Sequence, residues 1–199
     1  MPAPTIYYIR HGETEWNADG RLQGTRDSSL NDLGRRQAAD AGSILAELFA
    51  RDGRSGQSLA FVASPLGRAR STMELVRGAL ELPPADCSID DRLREIDYGR
   101  WEGSTLKQIQ ASDPEVFAKR QADKWTVPPP GGESYAAVQI RMREWYDSLL
   151  VDTVAAAHGG TARALMVALG IETSASAADL TIEQGAVYVF GDRGLTKYS

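Results

Sequence analysis

Short apolar or β-branched runs along the chain alternate with longer stretches in which apolar residues recur every three or four positions. That alternation predicts a mostly parallel sheet with helices packed on its faces. Ile6 to Ile9 reads as the first strand, stopping at Arg10. Asn31 is an N-cap for a helix whose apolar stripe is Ala38, Ala41, Leu45, Leu48 and Phe49. The Gly- and Ser-rich segment Asp52 to Ser58 reads as a surface loop, and Leu59 to Ala63 as the next strand. Arg68 to Leu80 follows as a helix with Thr72, Leu75, Val76 and Ala79 on its buried face, ended by Pro83 and Pro84. Ile89 to Leu93 is expected to add another short strand.

Beyond this point the rhythm changes. Two short helical stretches, Ser104 to Ile109 and Pro114 to Ala122, precede the proline-rich run Val127 to Gly132, and the segment at about 104–133 reads as an inserted cap. Ser134 caps a long helix that places Val138, Met142, Trp145 and Leu149 on one side. Thr153 to Ala157 is a buried strand of small residues ending at His158, Thr161 to Leu169 a helix closed by Gly170, and Ala186 to Phe190 the strand that completes the sheet. The expected architecture is α/β: a three-layer sandwich with a mostly parallel central sheet flanked by helices, plus a small helical cap insertion, in one domain spanning residues 1–199.

Composition narrows the class. With 199 residues, 42% of them apolar and 25% charged, the chain is long enough to bury a core without disulfide or structural metal. A single cysteine, Cys87, cannot form an internal bridge, and neither a CxxC pair nor a His-rich cluster is available for zinc. No run of 18 apolar residues occurs, and the first residues lack a basic flank followed by a long apolar stretch, so a cytoplasmic protein with no membrane partner is expected. The net charge of −5, from 22 Lys and Arg against 27 Asp and Glu, has the wrong sign for a nucleic-acid binder. A small anion can still bind to a local group of arginines.

The chain has two histidines, His11 and His158, each just beyond an apolar strand and each followed by glycine. By composition alone that coincidence arises about once in 100 cases. Ligands of open α/β sheets sit outside the carboxyl ends of the strands, where both histidines fall. Around the first the text runs Arg10, His11, Gly12, Glu13, Thr14, Glu15, Trp16, Asn17, then Gly20 to Gly24. This resembles the histidine phosphatase superfamily, the phosphoglycerate mutase-like proteins, whose signature is Arg-His-Gly at the end of the first strand. The resemblance continues in order through Leu30 to Ala38, Ser64 to Ala69, Leu93-Arg94-Glu95 with Gly99, Trp101-Glu102-Gly103, Pro130 to Ser134, and His158-Gly159.

The residue types suit the implied chemistry. Phosphoryl transfer concentrates negative charge on nonbridging oxygens, and its catalysis consists largely of holding them among fixed donors. Arg10 and Arg68 have the planar forks for that task. A neutral histidine can accept a phosphoryl group on one ring nitrogen; the resemblance assigns this role to His11, with His158 as the second imidazole and the Gly159 amide as a further donor at a helix start. It also assigns the proton donor to Glu95, with Asp97 and Glu102 as the nearest rivals, and implies that Asn17, Gln23 and Gly24 line the phosphate and substrate pocket. No cofactor and no metal are expected.

The mutases of this family carry Glu-Arg-His-Tyr-Gly where this chain has Glu95-Ile96-Asp97-Tyr98-Gly99. The resemblance therefore favours a hydrolase of a small phosphorylated metabolite, monomeric or homodimeric, over a mutase. A noncatalytic phosphoryl-binding protein is the third reading, disfavoured because a pure binder has no use for a proton donor. Lys107, Lys119, Arg120, Lys124, Trp125 and Tyr135 are candidates to face the pocket, against the alternative of a solvated cap face.

Overall fold

In the computed structural model, which describes residues 3–192 and 194–199, six strands form one sheet. They are β1 (Ile6–Arg10), β2 (Ala60–Ala63), β3 (Ser88–Ile89), β4 (Thr153–Ala157), β5 (Val187–Gly191) and β6 (Gly194–Tyr198), in the order β3-β2-β4-β1-β5-β6. The first four run parallel, while β5 pairs antiparallel with β1 and β6 antiparallel with β5. The register places Arg10 opposite Ala157, and Ala63 opposite Ala156. One backbone bond beyond each pairing continues the ladder: His11 N donates to Ala157 O at 2.9 Å, and Ser64 N to Ala156 O at 3.0 Å.

Both sheet faces are covered, as strands buried on two sides require. Tyr7, Ile9, Phe61, Val154 and Ala156 pack with Leu45, Phe49, Met73 and Val76 of α2 (Asp32–Arg51) and α3 (Gly67–Ala79). Alternate positions Ile6, Tyr8, Val62, Ala155 and Ala157 pack with Met142, Trp145, Ala162 and Leu165 of α6 (Tyr135–Asp147) and α7 (Gly159–Ala168). Asn31 caps α2 through a bond from Gly34 N at 2.8 Å, and Ser134 caps α6.

The shorter helices are α1 (Glu15–Ala18), α4 (Leu106–Ser112), α5 (Pro114–Ala122) and α8 (Ser174–Ala177). Among the described residues no helix is long and apolar enough to cross a membrane.

Several details depart from the hydrophobic pattern. Strand pairing at Ile89 to Leu93 is confined to Ser88–Ile89, because the Asp90 carboxylate accepts from Arg92 N at 2.9 Å and turns Asp91–Leu93 into a 3₁₀ turn. The buried face of α3 is Ala69, Thr72, Met73 and Val76; Leu75 is half-buried and Ala79 exposed. Leu149 lies past the end of α6, and α7 starts at Gly159, not Thr161. Strand β6, with mostly half-buried or exposed residues, gave no apolar signal.

Candidate active site

Three parallel strand ends converge. His11 follows β1, His158 follows β4 and Ser64 follows β2, so the register that sets the sheet also sets these side chains. The two imidazoles lie with centroids 5.1 Å apart at 60°, both buried. Gly12 is required here by close approach: a Cβ on it would stand 2.1 Å from the Gly34 carbonyl oxygen, backbone that cannot yield. Its N–H donates to Thr72 Oγ1 at 3.1 Å, fixing the turn that carries His11.

The hydrogen bonds of His11 determine its tautomer. Nδ1 lies 2.8 Å from the Gly12 carbonyl, which can only accept, and Nε2 lies 3.3 Å from Arg68 Nε, which can only donate. The proton therefore sits on Nδ1 and a lone pair on Nε2. Burial first, then the charges of Arg68 and Arg10, hold the His11 pKa well below the ordinary histidine range, against the weaker pull of the Gly12 bond. His11 is a neutral imidazole with a nucleophilic nitrogen at the strand ends.

His158 is held neutral in the same way, by burial and then by Arg68, His11 and Arg10. Its Nε2 is 2.7 Å from Ser64 Oγ, which also accepts from Leu66 N at 3.4 Å. Where the Ser64 hydroxyl donates to Nε2, the ring proton resides on Nδ1. That Nδ1 and Arg10 Nε are the two buried side-chain polar atoms without a partner among the described residues. Arg10 is otherwise anchored by Nη1 to Ile182 O at 2.7 Å. Arg10 Nε and His158 Nδ1, two buried nitrogens that meet nothing in the protein among the described residues, form beside His11 a cradle that an anion fits once Nδ1 carries its proton.

Arg68 has a fully buried side chain. Besides His11, it donates through Nη2 to Gly24 O at 2.8 Å and through Nη1 to Arg26 O at 2.7 Å, with Asp27 Oδ1 at 3.3 Å. The loop after α1 is thereby clasped to His11. Asn17 and Gln23 brace that loop: Asn17 Oδ1 accepts from Thr14 N and from Gln184 Nε2, and Gln23 Nε2 donates to Thr14 Oγ1 at 2.7 Å. Gly24 contributes its carbonyl to Arg68. Gly159, first residue of α7, is adjacent to Arg10: a Cβ there would lie 3.6 Å from Arg10 Nε.

Glu95 is drawn to the first turn of α7, beside His158. Its Oε2 accepts from Gly160 N at 3.2 Å and its Oε1 from Ile96 N at 2.9 Å. A Cβ on Gly160 would stand 2.3 Å from Glu95 Oε1, which explains glycine at that position. The rivals are engaged elsewhere. Asp97 Oδ1 accepts from Gly99 N at 2.6 Å, and Glu102 accepts from Thr25 N at 2.7 Å and pairs with Arg26.

A cavity of about 230 Å³ opens under α4 and α5, lined among others by Leu22, Tyr98, Trp101, Phe117 and Arg163. Of the cap candidates, Arg120, Lys124 and Tyr135 line it; Trp125 stacks on Tyr135 from behind, with centroids 5.2 Å apart. Lys107 and Lys119 do not, and Lys119 pairs with Glu115 on the exposed side. The sequence reading missed Ser64 and Arg163. Ser64 carried a usable signal, since it directly follows a strand at the same sheet edge as the histidines. Among the described residues no group of three or more His, Cys, Asp or Glu is placed to hold a metal.

Paired imidazoles and buried guanidinium groups stand together at the carboxyl ends of the parallel strands of an α/β fold. The chain belongs to the histidine phosphatase superfamily, branch 1, whose family model matches residues 6–193. It is 36% identical over 182 residues to the glucosyl-3-phosphoglycerate phosphatase of Mycolicibacterium vanbaalenii, covering 85% of this chain and 75% of that protein. It is 30% identical over 193 residues to the 2,3-bisphosphoglycerate-dependent phosphoglycerate mutase of Sinorhizobium fredii, covering 94% and 89%. A bifunctional protein of Mycobacterium tuberculosis is 38% identical over 146 residues, 73% of this chain but 37% of that longer protein. Among solved structures, the native mycobacterial glucosyl-3-phosphoglycerate phosphatase superposes with a TM-score of 0.77 at 30% identity, covering 94% of this chain and 89% of the other.

Proposed function

We propose that the chain is a metal-independent phosphomonoester hydrolase that works through a phosphohistidine on His11, acting on a small phosphorylated metabolite. The observation that carries this reading is the placing of a lone pair on His11 Nε2 with two buried nitrogens that meet nothing in the protein, Arg10 Nε and His158 Nδ1, both donors in the Nδ1–H tautomer of His158. A phosphate group brings the oxygens those donors lack. Phosphatases among the relatives support hydrolysis, and Asp97 in place of the mutase histidine removes a cation that a bisphosphorylated intermediate needs.

In the first step Arg68 Nε–H passes from His11 Nε2 to a phosphoryl oxygen, and the freed Nε2 lone pair attacks phosphorus in line with the ester oxygen. The P–O bond breaks as the N–P bond forms, and Glu95 transfers a proton to the departing alcohol. Arg10, Arg68, His158 and the Gly159 amide hold the nonbridging oxygens as charge shifts onto them. In the second step water attacks the phosphohistidine, Glu95 takes its proton, and phosphate leaves with His11 restored. Asn17, Gln23 and Gly24 shape the rim of this pocket, and the segment at about 104–133 covers it as a cap within a single domain.

Acid-quenched turnover of p-nitrophenyl phosphate tests the reading. Wild-type protein should release phosphate, carry an acid-labile, alkali-stable phosphoryl group, and keep its rate in EDTA; His11→Ala should lose both label and release. Retention of more than a few per cent of turnover in His11→Ala, or loss in EDTA restored by Mg²⁺, would overturn it.

A further inference from the structure

Strand β4 ends at Ala157 and α7 begins at Gly159, so His158 stands alone at the turn between them. The residue is fully buried, and its main-chain N–H and C=O need partners there. Two buried hydroxyls supply them. Tyr8, opposite Ala155 in the middle of β1, reaches the turn with its side chain. Its Oη lies 2.8 Å from His158 O and 3.1 Å from His158 N, and Thr161 Oγ1 lies 3.1 and 3.2 Å from the same two atoms. The two hydroxyl oxygens are 2.6 Å apart. Every hydrogen bond that they make among the described residues falls within this group.

The proton count shows what the second hydroxyl adds. Ala162 N donates to His158 O at 3.1 Å, which leaves one lone pair of that carbonyl for a hydroxyl. One hydroxyl donates to it, the other donates to its fellow, and the His158 N–H donates to either oxygen. A single hydroxyl would therefore satisfy both main-chain groups. The surplus one closes a frame around the His158 backbone, which over-determines its place. Ring packing does not account for tyrosine at this position: the Tyr8 ring meets Phe190 edge-on with centroids 6.2 Å apart, a contact that phenylalanine makes equally. Burial, against the pull of the Thr161 bond, holds the Tyr8 pKa well above the ordinary tyrosine range, so the phenol keeps the proton that the frame uses.

We propose that Tyr8 is a positioning residue for the second imidazole: with Thr161 it fixes the main chain of His158, so that Ser64 meets ring Nε2 at 2.7 Å and Nδ1 is kept for the cradle. His158 is thus held twice, by its backbone from β1 and α7 and by its ring from the end of β2. The inference rests on the phosphatase reading for its effect on rate, and not for its effect on the imidazole.

Long-range proton–nitrogen NMR of histidine-labelled protein at about pH 7.5, above the ordinary histidine pKa, tests the proposal. The chain has two histidines, told apart by His158→Gln. In the wild type each ring should show one neutral tautomer. In Tyr8→Phe, which leaves Thr161 to serve both main-chain groups, the His158 nitrogen shifts should move toward the average of the two tautomers while those of His11 hold. Hydrolysis of p-nitrophenyl phosphate should lose about tenfold in kcat with KM within about twofold. Thr161→Val should reproduce both effects and carries the test if Tyr8→Phe fails to fold; Thr161→Ser, which keeps the hydroxyl, should retain the wild-type shifts and rate. Unmoved His158 shifts in the folded variant would overturn the proposal, as would a wild-type His158 already averaged between tautomers. Equal displacement of the His11 shifts, or wild-type shifts lost in Thr161→Ser, would mark general loosening and overturn it too. Moved shifts with an unchanged kcat would remove the positioning role. A wild-type protein without turnover would overturn the phosphatase reading alone, because the shifts then decide this one.

Discussion

Arg68→Lys keeps a positive charge beside His11 and discards the planar fork. Arg68 serves three acceptors in different directions, His11 Nε2, Gly24 O and Arg26 O, and a single ammonium on a fully buried stem reaches at most one of them well. Two buried acceptors are then left dry, each costing about 1–3 kcal/mol, so a destabilisation of about 2–6 kcal/mol is expected. For a chain of this length that corresponds to a melting temperature lower by about 10 °C. Turnover should fall separately. With the hold on Nε2 and one donor to the phosphoryl oxygens impaired, a loss on the order of 10² is expected, about 2.7 kcal/mol of transition-state stabilisation. Calorimetry gives the melting shift, and steady-state hydrolysis at 20 °C, below either melting transition, gives the rate. A variant that melts with the wild type and turns over at the wild-type rate would refute the geometry argued for Arg68; one that melts early but reacts normally would leave it a structural clasp only.

Three further outcomes are expected. Glu95→Gln should cripple hydrolysis of alkyl phosphates, whose leaving groups need a proton, while sparing an activated aryl phosphate; equal losses on both, with burst kinetics showing that the first step is being observed, would reduce Glu95 to a positioning role. Both histidines have depressed pKa values in the folded state and return to about 6.5 on unfolding, so the unfolded chain binds more protons below that pH. Stability should therefore be present above about pH 6.5 and decline as pH falls below it, by up to about 2.7 kcal/mol per unit for two groups. Urea unfolding from pH 5.5 to 7.5 checks this, and a slope undiminished in His158→Gln would contradict it. Ser64→Ala should lower kcat about tenfold with little change in KM, by freeing the tautomer of His158; Ser64→Thr, which restores the hydroxyl, should recover the rate, and failure to recover it would point to packing.

Strands β1 and β4 and helices α2, α3 and α6 were legible because each buries a face against the sheet, and burial imposes a period that sequence displays. What escaped notice had no such imprint. Ser88–Ile89 is exposed at the sheet margin and its continuation is turned by a polar bond from Asp90, so apolar residues at 89 and 93 imitated a strand. Strand β6 satisfies its backbone against β5 with few buried side chains. At the site, Arg10, His11, Glu95 and His158 were readable from motif order, and the structure brings them together around one space. Ser64 and Arg163 were not, because each acts through a partner distant in sequence: 94 residues separate Ser64 from His158, and 28 separate Arg163 from Tyr135.

The strand order has a consequence for how the chain comes into being. Strand β4, at residues 153–157, lies between β1, which ends at residue 10, and β2, which ends at residue 63, and those two have no pairing with each other. During synthesis both emerge early with unpaired edges, and the central strand that must join them arrives late. Loop closure of this length is slow, and exposed edges invite association with other chains. A nascent chain arrested before residue 153 therefore holds His11 on a strand without its central partner, and return of the His11–His158 ring pair on refolding becomes a signal that the middle of the sheet has closed.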